Sequence, residues 1–212
     1  MRVLTDIKRD SILQAATEIF HEQGFEGASM AGIASRIGGS KSTLYRYFSS
    51  KEELFVAVSQ QTAKSQIIPS LEGLLTSKSK DLSNVLQEFG ETAFAIVANE
   101  TSIKAMRTVV SEAGRSDIGR LFFQAGPQIA SELLARFFQT QMVAGNMRAA
   151  DPKIAARHLI ALLESETVFP CLMGIRAELS NIELKGAVQR AIETFLGGYG
   201  VAEVKQQALT PK

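Results

Sequence analysis

The chain has 212 residues, of which 45% are hydrophobic and 21% are charged, and this balance is typical of a folded globular protein. Lysine and arginine number 23 against 22 aspartate and glutamate residues, so the net charge of +1 indicates neither a nucleic-acid nor a membrane partner. The single cysteine, Cys171, excludes an intramolecular disulfide framework. A charged N-terminus, and the lack of any uncharged run near the roughly 20 residues of a membrane helix, predict a cytoplasmic protein with no membrane partner.

Hydrophobic residues recur at helical spacing along most of the chain, which predicts an all-α fold. The first such stripe contains Ile12, Leu13, Ala16, Ile19 and Phe20. The predicted helices cover residues 7–22, 29–36, 40–47, 51–67, 82–99, 101–113, 117–124, 127–144, 152–173 and 181–197. We expect a polar linker at 70–80, a frayed tail at 197–212 and a kink where Pro170 interrupts its helix.

Three helix starts carry recognisable capping residues. Ser50 and Glu53 have the spacing of a capping box, in which the hydroxyl binds the third amide and the carboxylate reaches back to the cap. Ser180 and Glu183 repeat that spacing. Asp151 precedes a proline, which is well placed in a first helical turn because its missing N–H has no partner there.

Residues 29–48 have the pattern of a helix-turn-helix. Two short helices flank the pair Gly38 and Gly39, and the first glycine suits the left-handed conformation that ends a helix. Ser40 then caps the second helix. The helix over 7–22 is expected to supply the apolar platform beneath both.

At about 100° per residue, the second helix of this motif separates a buried side from a polar side. Leu44 and Phe48 point to the core, so Ser42 and Arg46 point away from it. The flanks carry Thr43 and Tyr47 on one side and Lys41 and Tyr45 on the other. Such hydroxyl, guanidinium and phenol groups suit phosphates and base edges. Alternatively, the two tyrosines are packing residues.

The same region is free of negative charge. Between Glu26 and Glu52 there is no acidic residue, and the basic residues are Arg36, Lys41, Arg46 and Lys51. A lysine in a first turn opposes the helix dipole, so a phosphate partner explains Lys51 better than solvation does. Arg36 is predicted to be solvated or salt-bridged rather than to read bases. The local charge is usable for DNA binding.

Residues 20–55 closely resemble the N-terminal domain of TetR-family transcriptional regulators. The matching segments are Phe20-His21-Glu22-Gln23-Gly24-Phe25, Ser29, Ile33-Ala34, residues 40–48 (SKSTLYRYF) and Ser50-Lys51-Glu52-Glu53-Leu54-Phe55. The resemblance implies a helix-turn-helix repressor that dimerises through a C-terminal helical bundle and is released from palindromic double-stranded DNA by a small ligand. We therefore expect a DNA-binding domain at 1–50 and a regulatory, ligand-binding and dimerisation domain at 51–212.

The resemblance also implies roles for individual residues. Phosphate contacts are expected from Ser29, Ser40, Thr43, Tyr47 and Lys51, and contacts near base edges or backbone from Lys41, Ser42, Tyr45 and Arg46. Two positions depart from the usual family pattern. Gly39 replaces a small apolar residue such as valine that plugs the turn, and Ser42 often corresponds to glycine, so the operator sequence does not carry over.

The C-terminal part is similar to the AefR-like subgroup of the family through Leu121–Pro127, Gly145–Arg148 and Ala150–Pro152. Its aromatic and methionine side chains are candidates for a hydrophobic ligand pocket, and the alternative is that they form core. The candidates are Phe89, Phe94, Met106, Phe122, Phe123, Phe137, Phe138 and Met142. The helix over 51–67 is the expected lever between this pocket and the DNA-binding domain.

Helices 152–173 and 181–197 are expected to form the homodimer bundle. The predicted interface residues are Leu159, Leu162, Leu163, Val188, Ile192, Phe195 and Leu196. Three polar residues interrupt the first of these helices, His158, Glu164 and Glu166, and they either lie at the surface or face a ligand or partner. Cys171 is expected to be a small buried residue.

Enzyme functions fit poorly. The two histidines, His21 and His158, lack metal-ligand spacing, and residues 39–43 lack the glycine-lysine order of a phosphate loop. We predict no catalytic residue, no metal and no cofactor. The alternative to a ligand-responsive DNA-binding regulator is a helical small-molecule-binding or interaction protein whose motif no longer reads a specific DNA sequence.

Overall fold

A computed structural model of the protein describes residues 2–76 and 81–201. Within these ranges the secondary structure is α-helical and no β-strand is present, apart from one isolated bridge between Met147 and Gly200. The helices are α1 (Arg2–Gly27), α2 (Met30–Arg36), α3 (Lys41–Tyr47), α4 (Lys51–Ser59), α5 (Gln61–Thr76), α6 (Leu82–Val97), α7 (Glu100–Glu112), α8 (Ile118–Ala125), α9 (Pro127–Val143), α10 (Pro152–Glu166), α11 (Val168–Leu172) and α12 (Asn181–Tyr199). The predicted all-α fold is confirmed.

The helices form two compact units that differ from the predicted division at residue 50. Unit 1 comprises the chain up to Gln61 together with Thr108–Ala125. Unit 2 comprises Thr62–Arg107 and the described residues from Gly126 onward. The segment that carries α8 thus belongs to the unit that contains the helix-turn-helix, because α8 packs against α4.

Unit 1 has a small aromatic core beneath the helix-turn-helix. The rings of Phe20 and Phe25 on α1 each meet the ring of Phe55 on α4 edge-on, with 5.1 Å between centroids. Ile12 on α1 and Leu54 on α4 are also fully buried. Edge-to-face aromatic pairs add about 0.5–1.5 kcal/mol beyond the area they bury, so this cluster holds α1 and α4 firmly together.

Unit 2 is built around α10 and α12, which pack against α9 and α6 respectively. At Gly90 on α6, an added Cβ would lie 2.6 Å from Cγ1 of Val188 on α12, so the close approach of these helices requires glycine. The core is apolar and contains the fully buried Phe138 and Phe195. Within the described residues, no helix combines the length and the apolar composition needed to cross a membrane.

Two of the predicted helices are wrong in length because each is divided. The helix expected over 51–67 breaks at Gln60, and α5 continues through Pro69 to Thr76, where a polar linker was expected. The helix expected over 152–173 ends at Glu166 rather than kinking at Pro170. Proline lacks the N–H that would bond the carbonyl of Glu166, so it lies in the first turn of the separate helix α11. Residues 77–80 and 202–212 of the expected linker and tail lie outside the described residues.

The predicted caps form, with one change of partner. Asp151 accepts hydrogen bonds from Lys153 N and Ile154 N, and Ser180 and Glu183 form the full reciprocal capping box. Ser50 Oγ accepts from Glu53 N at 3.1 Å as expected. The Glu53 carboxylate, however, accepts from Ser49 N at 2.6 Å instead of reaching Ser50.

The capping box of α12 should make the stability of the fold depend on pH. Hydrogen bonds from the Ser180 amide and hydroxyl, and then the ion pair with Arg176, lower the pKa of Glu183 to about 2. A lowered pKa in the folded state means that the carboxylate stabilises the fold above its ordinary pKa and loses this effect as pH falls toward 2. We expect Glu183→Gln to lower the melting temperature at neutral pH, and the difference from wild type to shrink between about pH 5 and pH 2. Calorimetry across this pH range measures the difference in melting temperature. The control is Glu178→Gln, which changes an exposed carboxylate in the loop before α12. A difference that does not change with pH would contradict the assignment.

Candidate nucleic-acid interface

The turn between α2 and α3 is held by caps on both helices. Ser29 Oγ accepts a hydrogen bond from Gly32 N at 3.1 Å, and Ser40 Oγ accepts from Thr43 N at the same distance. Gly38 has φ of 61°, in the left-handed region predicted for it. Gly39 N donates to Ala34 O at 3.0 Å, so the turn is closed although the usual apolar plug is absent.

Alanine substitutions at Gly38 and Gly39 should change the stability of the protein in opposite directions, so each serves as the control for the other. Gly38→Ala forces a side chain into the left-handed conformation and should cost about 1–2 kcal/mol. At Gly39, φ lies outside this region and an added Cβ would be 3.4 Å from the Ile37 side chain, an ordinary contact. Gly39→Ala should therefore stabilise by about 0.4–1 kcal/mol, chiefly by restricting the unfolded chain. Urea unfolding of both variants measures the difference, and equal midpoints would contradict it.

The second helix of the motif is oriented as its periodicity predicts. Leu44 and Phe48 are buried, with relative exposures of 0% and 2%, while Ser42 and Arg46 are exposed. On α2, Met30 and Ile33 are also buried. The polar face of α3 is therefore presented outward on a fixed base.

A cluster of hydroxyl groups lies at the N-terminal end of α3. Ser40 Oγ lies 2.9 Å from Ser42 Oγ and 2.8 Å from Thr43 Oγ1, and all three groups are near the surface. Hydroxyls donate as well as accept, and donors beside the free amides of a helix start are suited to phosphate oxygens. Ser42, the departure from the family pattern, takes part in this cluster.

The two tyrosines of α3 differ in their surroundings. Tyr45 is 44% exposed, and the ammonium of Lys41 lies 5.9 Å from the centre of its ring. This geometry speaks against the alternative that Tyr45 is a core residue. Tyr47 is half-buried.

Lys51 has a partner within the protein that the sequence does not reveal. Its ammonium donates to the Phe25 carbonyl at 2.8 Å and lies 4.3 Å from the centre of the Phe25 ring. An ammonium has three N–H donors, and this hydrogen bond uses one of them. Lys51 therefore ties α4 to the end of α1, and its predicted phosphate contact would use the remaining donors.

Arg36 is committed to an ion pair, as predicted. Its guanidinium lies 2.8 Å from Glu22 and 3.3 Å from Glu18, both on α1. The hydrogen bond and charge of Arg36 lower the pKa of Glu22, while that glutamate raises the pKa of Arg36. Arg36 therefore fixes α2 to α1 and contributes little net charge to the outward face.

The structure adds a basic residue that the motif does not contain. The exposed guanidinium of Arg9 on α1 lies 5.2 Å from the centre of the Phe48 ring, at the end of α3. The two residues are far apart in the sequence, so no local spacing could have indicated the contact.

The predicted ligand-lining residues do not form one group. Phe122 and Phe123 belong to α8 in unit 1, where Phe123 is 55% exposed. The other candidates lie in unit 2. Four of them are buried in its core, namely Phe89, Phe94, Phe137 and Phe138, and two are partly buried against it, namely Met106 and Met142. Core packing, the alternative interpretation, thus describes four of the eight, and the pocket stays a prediction.

The predicted dimer residues are mostly interior to one chain. Six are buried at 0–1% exposure, namely Leu159, Leu163, Val188, Ile192, Phe195 and Leu196, because they pack between α10, α12 and their neighbours. Residues with so little surface cannot form the main contact area with a second copy. Leu162 alone among the seven is only partly buried.

A largely apolar groove of about 370 Å³ runs along the outer side of α10 and α12. Its lining includes Ala161, Leu162, Thr194 and Gly198. At one end His158 Nδ1 lies 2.7 Å from the Tyr199 hydroxyl. We name this surface the α10–α12 groove.

The polar residues that interrupt α10 lie at the surface, and the cysteine is buried. His158, Glu164 and Glu166 are exposed, and Glu166 pairs with Arg190 on α12 at 3.0 Å, which lowers the pKa of Glu166. Cys171 is fully buried, and burial raises the pKa of its thiol, as fits a structural cysteine.

Together, the capped turn, the outward polar face of α3 and the helical unit 2 define a helix-turn-helix regulator. The profile described as "Bacterial regulatory proteins, tetR family" matches residues 12–58. The profile described as "AefR-like transcriptional repressor, C-terminal domain" matches residues 84–201. The chain belongs to the TetR family of transcriptional regulators, a family of DNA-binding regulators rather than enzymes, and its C-terminal domain is of the AefR-like type.

Individual relatives agree with this assignment. The transcriptional activator FasR of Mycolicibacterium smegmatis is 47% identical over 60 residues, which cover 28% of this chain and only 27% of FasR. A crystal structure of a TetR-family regulator from Mesorhizobium loti is 30% identical, covers 92% of this chain and 98% of that chain, and has a TM-score of 0.78. SmeT of Stenotrophomonas maltophilia, in complex with triclosan, is 26% identical, covers 92% and 93% of the two chains, and has a TM-score of 0.66.

Proposed function

We propose that the protein is a dimeric, sequence-specific transcriptional repressor that a small hydrophobic ligand releases from its DNA. The observation that carries the proposal is the orientation of α3, whose buried Leu44 and Phe48 force Arg46 and Ser42 outward. A short polar helix presented in this way fits the major groove, where base edges are distinguishable. Its site of action would be the cytoplasm.

We place the proposed DNA contacts at the two ends and on the outer face of the helix-turn-helix. We assign phosphate contacts to Ser29, Ser40, Thr43, Tyr47 and Lys51. We assign base-edge or backbone contacts to Lys41, Ser42, Tyr45 and Arg46. The exposure of Tyr45 and the hydroxyl cluster around Ser40 support these roles, and the hydrogen bond of Lys51 to Phe25 gives that residue a structural role as well.

A second copy is needed because one helix-turn-helix buries too little surface to specify a long site. The α10–α12 groove supports a contact there, since it is largely apolar and part of its lining, including Ala161 and Gly198, is small enough to let another helix approach closely. Ile154, on the same side of α10, adds a 39% exposed apolar side chain. We therefore move the proposed interface from the buried leucines to the residues of this groove.

The similar proteins support the repressor assignment and a small-molecule ligand. The C-terminal profile is described as that of a repressor, and SmeT, a relative of similar length, binds triclosan. The aromatic interior of unit 2, with the flexible Met106 and Met142 at its edge, suits an apolar ligand. Such a ligand lowers DNA affinity only if it binds better to a conformation in which the two motifs are wrongly spaced.

Selection of duplexes from a random pool tests the proposal. We expect enrichment of one palindromic sequence, whose binding weakens steeply with salt. A screen of apolar compounds against that complex should then yield ligands that release the DNA and raise the melting temperature of the protein. Failure to enrich any sequence would favour the alternative, a helical binding protein that does not read DNA.

A further inference from the structure

Arg9 lies at the edge of the core of unit 1, next to the C-terminal end of α3. It lies three and four residues before the buried Ile12 and Leu13, on the same side of α1. Its guanidinium covers the ring of Phe48, the residue that caps the C-terminal end of α3, at 5.2 Å. The ring thus holds this cation at one end of the DNA-reading helix.

The charge of Arg9 is not neutralised by any carboxylate in the described part of the chain. No ion pair within 4.0 Å joins Arg9 to a described acidic side chain, although Asp6 and Asp10 are close in sequence. Arg36, by contrast, is held by two glutamates. Arg9 therefore offers a full positive charge and an exposed guanidinium.

A cation at the end of α3 where Arg9 lies would favour the approach of that end to DNA. The seven residues of α3 span about 10 Å, close to the roughly 12 Å width of the major groove, so with α3 lying across the groove each end would be near a phosphate backbone. The N-terminal end presents amides and hydroxyls, which attract phosphate. The C-terminal end presents carbonyl oxygens and the negative end of the helix dipole, which repel it.

We infer that Arg9 is a further DNA-contacting residue, which binds a backbone phosphate at the C-terminal end of α3. It would supply there the attraction that Ser40 and Thr43 supply at the other end. The contact would be to phosphate and not to a base, since Arg9 belongs to α1 and not to the outer face of α3. The inference rests on the proposed DNA-binding function.

The test measures how affinity for the selected duplex depends on salt, using the full chain. Arg9→Gln removes the charge, and Arg9→Met also removes it while keeping an apolar stem over Phe48. The matched control is Arg136→Gln, which removes the same charge from an exposed position on α9 in unit 2. Melting temperatures are recorded for every variant.

We expect the slope of log affinity against log salt to fall by about 0.9 per bound chain in the neutral Arg9 variants and to be unchanged in Arg136→Gln. Between 50 and 200 mM salt, wild type should then lose about 3.5-fold more affinity per bound chain than those variants. A wild-type slope in a folded neutral Arg9 variant overturns the inference and leaves the proposed function standing. Loss of the fold in both neutral variants would assign Arg9 a structural role and would also overturn the inference. If wild type binds no duplex selectively, the proposed function and the inference both fall.

Discussion

Arg46→Ala should abolish recognition of the selected duplex while leaving the protein folded. Arg46 is exposed on the outer face of α3, and no ion pair joins it to an acidic side chain within the described residues. A bidentate arginine contact discriminates its base by about 1–3 kcal/mol, and a dimer would lose two of them. The loss of affinity should therefore be about 30-fold to 2 × 10⁴-fold, and binding should fall toward the level of random DNA. Because an exposed substitution changes stability by only about 0.5 kcal/mol, the melting temperature should be nearly unchanged.

The control for this experiment is Arg36→Ala, in the same motif. Arg36 pairs with Glu18 and Glu22 at the protein surface, so its loss should weaken the attachment of α2 to α1 only slightly and leave sequence preference intact. Gel-shift titrations with selected and scrambled duplexes measure both effects. Wild-type preference in Arg46→Ala would refute the assignment of Arg46 to base reading.

The second large effect is expected at the α10–α12 groove. Ala161→Glu places a carboxylate in the exposed apolar lining of this groove. If a second copy covers the groove, each chain buries an unpaired charge, at a cost of about 3–5 kcal/mol. Dimer dissociation should then be at least 100-fold easier, and DNA affinity should fall with it because the two half-sites are no longer bound together.

Ala95→Glu is the matched control, since Ala95 is an exposed alanine within α6 of the same unit and lies away from the groove. Sedimentation velocity at micromolar concentration should show a dimer for wild type and for Ala95→Glu, and a monomer for Ala161→Glu. A dimeric Ala161→Glu variant would contradict the proposed interface, because it would show that two copies associate at another surface or through a hydrated contact.

The orientation of α3 could be predicted because it depends on local periodicity. Once Leu44 and Phe48 are buried, helix geometry places Arg46 outward. The caps at Ser29, Ser40 and Asp151 are local for the same reason, since each bonds amides no more than three residues away. Features of this kind need no knowledge of the rest of the fold.

Contacts between distant parts of the chain could not be predicted. Lys51 reaches Phe25 and Arg9 reaches Phe48 only because α1 packs against the other helices of unit 1. The break at Gln60 has no proline or glycine within residues 51–67 to mark it. These features arise from packing, which local spacing does not report.

The dimer prediction shows another limit of hydrophobic patterns. The hydrophobic residues Leu159, Leu163 and Val188 are buried, as their spacing indicates. Spacing does not show, however, whether such residues are buried by the same chain or by a second copy. In this fold other helices of the same chain cover those residues. The small residues of the groove, such as Ala161 and Gly198, are inconspicuous in the sequence because they contribute little to a hydrophobic stripe.

Hydroxyl-radical footprinting of the wild-type protein on its selected duplex tests the central claim most directly. Two copies of α3 in successive major grooves predict two protected segments, related by twofold symmetry and centred about 34–36 Å apart, which is one helical turn. Each segment should lose protection in Arg46→Ala. A footprint without twofold symmetry, or no protection on any selected duplex, would contradict the account.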